Sequence, residues 1–395
     1  MNAILRSLRG FFVSMQLSVV LLVFGMILVF AATLDQVNLG IWAVQEKYFR
    51  SFIIYAKAGS VAVPVFPGGY TIGGLLLINL IAAHVYRFSL TARKAGIQLT
   101  HAGLIVLLLG ELLTGLWQED YNLRLTEGET RNYAESYRDN ELVLIDTTDA
   151  QYDEVVAIPE KSLSRHTTLQ HPKLPFRVVP KAYYPNSILQ RRSPGATPRP
   201  GEQVSLATTG IGESIMAAPQ PITYRPDERN LPSAYVELAA ADRSLGTYLV
   251  STGLEMPQTF EYGGRQWKIA LRVKRAYKPY ALTLLKFTFD RYAGTEIPKN
   301  FSSRIRLKTP DGRDDREVLI YMNNPLRYAG LTFYQSGFER DERTTILQVV
   351  RNPSWQMPYI ACVLMTLGLC IQFGYHLVGF VGKRRPVTAI KPTSA

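Results

Sequence analysis

The stretch GIQLTHAGLIVLLLGELLTG, residues 96–115, decides how the rest of the chain is read. It matches the ~20 residues with which a helix crosses the hydrocarbon core of a bilayer. Only two ionisable side chains interrupt it, His101 near its start and Glu111 further in. Three other runs have the same character. They are FFVSMQLSVVLLVFGMILVFAAT from Phe11 to Thr33, YTIGGLLLINLIAAHVYRF from Tyr70 to Phe88, and MPYIACVLMTLGLCIQFGYHLVGFV from Met357 to Val381. Aromatic residues at the edges (Tyr70, Tyr86, Trp117, Trp355, Tyr359) suit the interfacial belt. A basic start before the first run raises the possibility of a signal peptide. The run is about twice the length of a typical signal h-region and no small-residue cleavage site follows, so it reads as an anchor.

Apolar residues make up 47% of the 395-residue chain, and they cluster in these runs instead of spreading through one globular core. The formal charge of +12 is also unevenly placed. Residues 118–355 hold 32 of the 44 Lys and Arg and 29 of the 32 Asp and Glu, so they contribute only +3. No basic face with stacking aromatics accompanies the excess, which argues against nucleic acid as a partner. Nine basic and no acidic residues flank the apolar runs at the N-terminus (Arg6, Arg9), in the short second connection (Arg87, Arg93, Lys94) and at the C-terminus (Lys383, Arg384, Arg385, Lys391). By the positive-inside rule these segments are cytoplasmic, and residues 118–355 lie on the other side. The loop 34–69 would lie there too, with IWAVQEKYFRSFIIYA on the outer membrane surface.

The expected architecture is a polytopic α-helical membrane protein with four transmembrane helices and a large β-rich extracytoplasmic domain inserted between helices 3 and 4. The membrane region 1–117 holds spans at about 11–33, 70–88 and 98–117, the β-rich domain covers 118–355, and residues 356–395 hold the fourth span, about 357–381, and a basic tail. Short branched or alternating runs such as ELVLIDT, SAYVELAAA, RQWKIALRVKRAY, LTLLKFTFDRY and TTILQVVRN, separated by turn residues, point to an antiparallel sandwich or open barrel. The Pro- and Gly-rich stretch QRRSPGATPRPGEQVSLATTGIGES reads as an insertion between two β halves.

Enzyme signatures are missing from this domain: GxSxG, HExxH and a phosphate-binding loop do not occur. Its histidines, His166 and His171 in SRHTTLQHP, are a weak candidate metal pair at a five-residue offset in a polar loop and read first as solvated. The two cysteines, Cys362 and Cys370, both fall in the last apolar run with seven residues between them, a spacing that fits neither a CxxC redox pair nor a zinc site. The unusual chemistry is in the spans. His84, His101 and His376 all lie within about 10 Å of the same membrane face at ~1.5 Å per helical residue. The second and third spans are joined by a short loop and are expected to be antiparallel neighbours, so His84 and His101 fall at matched depth. Two such imidazoles can reach one metal or cofactor, and an iron porphyrin is the natural one in a membrane. No CxxCH is present, so that heme would be non-covalent. His376 reads as an interfacial side chain reaching for water. Glu111 lies about 15 Å deeper than His101 and faces either a polar interior, a partner, or water by snorkelling.

Beyond these readings, the chain resembles the ResB (CcsB) family of system II cytochrome c biogenesis. The resemblance rests on the layout of spans and on LTHAGLIVLLLGELLTG followed by LRLTEGET, on LTLLKFTFDRYAGTEIPKNFSSRIRL, and on YMNNPLRYAGLTFYQSGF. It implies a location in the bacterial inner membrane with both termini cytoplasmic. It also implies a non-catalytic or accessory subunit of a heme-attachment complex, which moves heme b across the membrane and delivers it to CxxCH of apocytochrome c. The implied partner is a CcsA (ResC) subunit with a tryptophan-rich heme-handling motif. That motif is missing here, where Trp42, Trp117, Trp267 and Trp355 are scattered. By the same resemblance His101 is the candidate axial ligand of heme iron, and His84 is second. Two other classes stay open on the residues alone: a membrane sensor with an extracytoplasmic β domain, and a b-type heme electron-transfer subunit.

Overall fold

The computed structural model describes residues 3–58, 61–87, 89, 91, 93–191, 205–223, 229–295 and 298–383. Most of the Pro- and Gly-rich stretch (192–204) and the basic tail from 384 onward lie outside the described residues. The chain divides into two units, Met1–Gln118 with Asn352–Ala395, and Glu119–Arg351.

The first unit is helical, with α1 (Ala3–Phe12), α2 (Met15–Val44), α3 (Gly69–Tyr86), α4 (Ala95–Trp117) and α5 (Met357–Lys383). Helices α2 to α5 are each long and apolar enough to cross a membrane. Their outward side chains are apolar too: Phe30 is 67% exposed and Val378 73%. The first span differs from the expected Phe11–Thr33. The chain breaks at Val13–Ser14, where Ser14 caps α2 by accepting from the Gln16 amide at 3.2 Å. Helix α2 then continues well past Thr33, kinking at Gly40, whose φ of 71° is one only glycine adopts at little cost. A π turn, Gln45–Phe49, follows it. Part of the expected surface segment is therefore helix, and the rest opens a hairpin of β1 (Ile53–Ala58) and β2 (Val61–Pro67).

The break between α1 and α2 leaves backbone carbonyls without helical partners. Asn79 of α3, only 2% exposed, serves them. Its Nδ2 donates to the Phe12 and Ser14 carbonyls at 2.7 and 3.0 Å, and its Oδ1 accepts from Ser18 at 2.5 Å. Arg87, just past α3, donates to the Val13 carbonyl at 3.2 Å, and Arg9 stacks over Tyr86 at 5.2 Å. The start of the chain and the end of α3 therefore share one end of the bundle.

The second unit is β-structured. Its strands are β3 (Glu119–Thr126), β4 (Thr130–Asp146), β5 (Glu154–Pro159), β6 (Arg177–Tyr184), β7 (Ser187–Arg191), β8 (Ile215–Pro219), β9 (Ser233–Ala239), β10 (Ser244–Ser251), β11 (Gln258–Tyr262), β12 (Arg265–Arg291), β13 (Pro298–Lys308), β14 (Asp315–Tyr321), β15 (Leu326–Tyr328), β16 (Leu331–Phe338) and β17 (Thr344–Arg351). The named strands pair antiparallel. A sheet of ten runs β14-β13-β12-β4-β3-β17-β16-β15, with β11 and β5 alongside β12 and β4. A second sheet, β10-β9-β6, and the hairpin β7-β8 complete the fold.

Two large cores result, and β4 and β12 thread both; a small third cluster gathers Ala207, Ala217, Tyr235 and Leu249. In one, Leu142, Leu144, Trp267 and Ile269 of the large sheet pack on Val178, Val236 and Val250 of the small sheet, as in a sandwich. In the other the large sheet curls on itself, enclosing Leu125, Leu282, Ile305, Phe333 and Leu347. The sequence suggested a sandwich or an open barrel, and the unit uses one packing at each end. The switch is built into β12, which appears in the sequence as two runs but is one 27-residue strand. Odd positions (Trp267, Ile269, Leu271) face the first core and even ones (Tyr280, Leu282, Leu284) the second. Pairing with β4 shifts register between Tyr277 and Leu282, which is where Pro279, lacking an amide hydrogen, interrupts the ladder.

Candidate functional site

Helix α4 carries Gly96, Gly103 and Gly110, all buried, at seven-residue spacing. That spacing keeps them on one face. They pack on α5 in antiparallel order. A Cβ at Gly96 would meet the Gly368 carbonyl oxygen at 2.6 Å, one at Gly103 the Met365 side chain at 2.7 Å, and one at Gly110 Met357 at 2.8 Å. At the far end Ser354 reaches the Gly110 carbonyl at 3.2 Å and the Thr114 hydroxyl at 2.8 Å, and Asn352 donates to Thr114 at 3.2 Å. The start of α4 therefore sits beside the end of α5.

His101 lies roughly 150° around α4 from this glycine face. It points away from α5 and toward α3, the other helix packed on α4. Side chains 7 and 11 positions apart on a helix lie within about 20° of each other. His101 therefore shares a stripe with Leu108 and Leu112, and on α3 His84 shares one with Leu77 and Gly73. Leu108, Leu112, Leu77 and Gly73 line one cavity of 650 Å³, so the two stripes face each other across the α3–α4 seam. His84 and His101 fall at the same end of that seam, on two helices that pack on each other. Both are part-buried, and Nδ1 of His84 is shut off from solvent. The amide oxygens of Gln98 (α4) and Gln372 (α5) are buried at the same end of the bundle.

The other sequence candidates fall elsewhere. His376 is exposed and hydrogen-bonds Gln372 at 2.8 Å, while Gln372 packs on Gly96. Glu111 lines the cavity at the opposite end of the seam from the histidines. His166 and His171 are exposed in the β unit. Among the described residues no group of three or more His, Cys, Asp or Glu converges on a metal position. The sequence reading passed over Asn79 and the glycine stripe. Both left a signal, a lone amide inside LLLINLIAA and a heptad of glycines.

The β unit gives a physical account of the sequence motifs. Ser303 (β13) donates to Gln335 (β16) at 2.6 Å and shares a 2.8 Å hydroxyl–hydroxyl hydrogen bond with Thr345 (β17), and Gln335 donates to Thr345 at 2.8 Å. Among the described residues strand β13 pairs with β12 and β14, so this triad, with Ser303 and Thr345 buried, ties the curled sheet across its own core. Phe338 packs on Phe287, Phe289 and Phe301 with ring centroids 4.6–5.7 Å away. Ala329 and Gly330 both take positive φ (49° and 75°), as the two-residue turn joining β15 to β16 requires. In TEGET, Glu127 accepts from the Phe287 amide at 2.9 Å and Glu129 from the Thr126 amide at 3.0 Å, fastening the β3–β4 turn.

These features define a membrane protein of four apolar helices that carries a large antiparallel β unit and a histidine pair in a helix seam. Residues 239–346 match the model of the ResB-like family, which bears out the ResB resemblance. A stretch of 109 residues, 26% of the chain, is 34% identical to Protein NrfI of Wolinella succinogenes. It spans only 12% of that relative's length. The family match lies within the β unit and includes both LTLLKFTFDRYAGTEIPKNFSSRIRL and YMNNPLRYAGLTFYQSGF; helices α3 and α4 lie outside it.

Proposed function

We propose that this protein is a heme-handling subunit of a cytochrome c maturation complex. The feature that supports this reading is the matched position of His84 and His101 at one end of α3 and α4, two helices that pack on each other. The ResB-like β unit supports it from a separate part of the chain. Heme is here the cargo. Two imidazoles in an apolar seam are the donor set that suits its iron, and the apolar side chains around them suit its ring. His101 is the principal ligand and His84 the second.

The end of the bundle that holds this pair also gathers Arg9, Arg87, Arg93 and Lys94, which favours the cytoplasmic side for it. The β unit then works on the opposite side, where apocytochrome c receives heme on CxxCH. A tryptophan-rich CcsA-type subunit is the partner in heme handling. In this scheme the protein holds and passes heme, and bond formation belongs to the complex.

Deleting the gene and staining c-type cytochromes for covalent heme tests the role. The expected result is loss of the stain, restored by the wild-type protein. Normal staining would overturn the proposal, and a stably bound, redox-active heme with normal staining would instead mark an electron-transfer subunit. The site is tested in the purified membrane complex, where the heme absorption band should fall in His101→Ala and, less, in His84→Ala. A full band in both variants would remove the histidines from the role.

A further inference from the structure

The seam has a second end, and the histidines do not explain it. The 650 Å³ cavity there is walled by α2, its π turn, α3 and α4. It is the size of a small-molecule site. Gly73 and Gly74 form part of its wall, and a Cβ on either would meet no atom within 4 Å. A glycine inside a helix costs about 1 kcal/mol relative to alanine. Two adjacent ones with nothing packed on them leave room for something other than this chain.

The polar groups of the cavity specify what that is. The Oε1 of Gln45 is buried without a hydrogen-bond partner. Glu111 makes no hydrogen bond or ion pair among the described residues. Both are acceptors, and a lone carboxylate in a membrane span calls for a cation or a donor. Arg50, also on the wall, is held only at Nη1, by Glu46 at 3.1 Å among the described contacts. A ligand that fits has an ammonium or other strong donor for Glu111 and Gln45, and an anion for Arg50.

A second, almost wholly apolar groove of 590 Å³ supplies the remaining requirement. It meets the cavity at Thr33, which lines both, and follows α2 from there back to Leu21. Twelve residues of helix span roughly 18 Å, the reach of a fatty-acyl chain. Gly25 opens this groove as Gly73 opens the cavity, with no atom within 4 Å of an added Cβ.

We infer that the cavity and groove together bind one aminophospholipid, its ammonium on Glu111 and Gln45, its phosphate on Arg50 and an acyl chain along α2. A hydroquinone would satisfy the acceptors and leave Arg50 unused. An anionic lipid such as phosphatidylglycerol would satisfy Arg50 and leave Glu111 unpaired.

Native mass spectrometry of the full chain, released from mild detergent containing equal phosphatidylethanolamine and phosphatidylglycerol, tests this directly. The wild type should retain one phosphatidylethanolamine with at least about tenfold preference, the scale of one charge-assisted contact. Gly74→Leu, which fills the cavity, should lose the bound lipid. Gly73→Ala narrows the same wall while favouring the helix, and should weaken retention should Gly74→Leu fail to fold. Glu111→Gln should keep a lipid with the preference reduced to near parity. Equal retention of the two lipids by the wild type, undiminished retention in both glycine variants, or an unchanged preference in Glu111→Gln would overturn the inference. Because none of these readouts involves heme, they are independent of the proposed cytochrome role.

Discussion

Replacing Gly96 by alanine is the sharpest test of how the bundle holds its histidines. The added Cβ would stand 2.6 Å from the Gly368 carbonyl oxygen and 2.7 Å from the Gln372 amide nitrogen, both backbone atoms that no rotamer change can move. Ordinary contact needs about 3.5 Å, so α4 and α5 must part by roughly 0.9 Å at this point. Overpacking of this kind costs about 1–3 kcal/mol. Alanine's better helix propensity returns up to ~1 kcal/mol. The net expectation is a loss of about 1–2 kcal/mol, or roughly 2–8 °C in the apparent Tm of a unit this size. Gly374→Ala is the control: it lies on the same α5, and its Cβ would meet nothing within 4 Å. It should gain helix propensity without a clash and melt no lower than wild type. The measurement is thermal denaturation of the full chain in mild detergent, followed by far-UV circular dichroism. A Gly96→Ala protein as stable as wild type, or a Gly374→Ala protein destabilised to the same degree, would refute the close α4–α5 packing.

Three further outcomes follow from particular contacts. Asn79→Leu strips partners from the Phe12 and Ser14 carbonyls and the Ser18 hydroxyl, and should lower stability by about 1–2 kcal/mol in the same melt, whereas Ile78→Ala on the exposed face of α3 should change it little. Gln335→Leu leaves the buried Ser303 and Thr345 hydroxyls short of partners, and should cost the β unit about 1–3 kcal/mol by chemical denaturation. Asp146 is held below the usual carboxylate range by hydrogen bonds, first from the Thr148 hydroxyl, then from the Thr148 amide and Arg265. Its contribution is therefore present above the unfolded value of 3.8 and is lost as pH falls through the lower folded value, so Asp146→Asn should flatten the acid limb of the β unit's stability profile below about pH 4.

The large features were legible in the sequence because each rests on one strong physical signal. Four apolar runs give four long helices, and alternation gives strands at all the quoted β runs. What escaped has specific causes. The span from Phe11 to Thr33 looked continuous because Val13 and Ser14 are compatible with helix, and the break depends on Asn79, distant in sequence, taking up the freed carbonyls. Strands β3 and β11 were passed over because exposed positions carry polar and charged residues that dilute the alternation, and β5 because its outward positions are Val155, Ala157 and Pro159, so no alternation shows. The β12 strand was split at Lys278-Pro279, since proline within a strand ordinarily ends it; here its position in a register shift accommodates it. For the site, matched depth brought His84 and His101 into view, and they lie on α3 and α4, which pack on each other. Glu111 stayed open because its setting depends on α2 and the π turn, whose course no local pattern reveals.

The distribution of resemblance along the chain has a physical logic. The matched segment contains the positions where geometry dictates residue type: a turn with two positive φ angles at Ala329 and Gly330, a hydroxyl–amide triad, and Phe338 wedged among three rings. Few side chains satisfy such demands, so they leave recognisable words in a sequence. The helical seam makes a different kind of demand. Its faces are set by intervals, seven and eleven residues from His84 to Leu77 and Gly73 and from His101 to Leu108 and Leu112, and many apolar residues can fill the positions between. Word-like matching finds the β scaffold, and counting turns finds the seam. The two methods converge on one protein only because the histidine interval and the β words occur in a single chain. The role argued for the helices therefore stands or falls on His84 and His101 themselves, whatever further matches the β unit acquires.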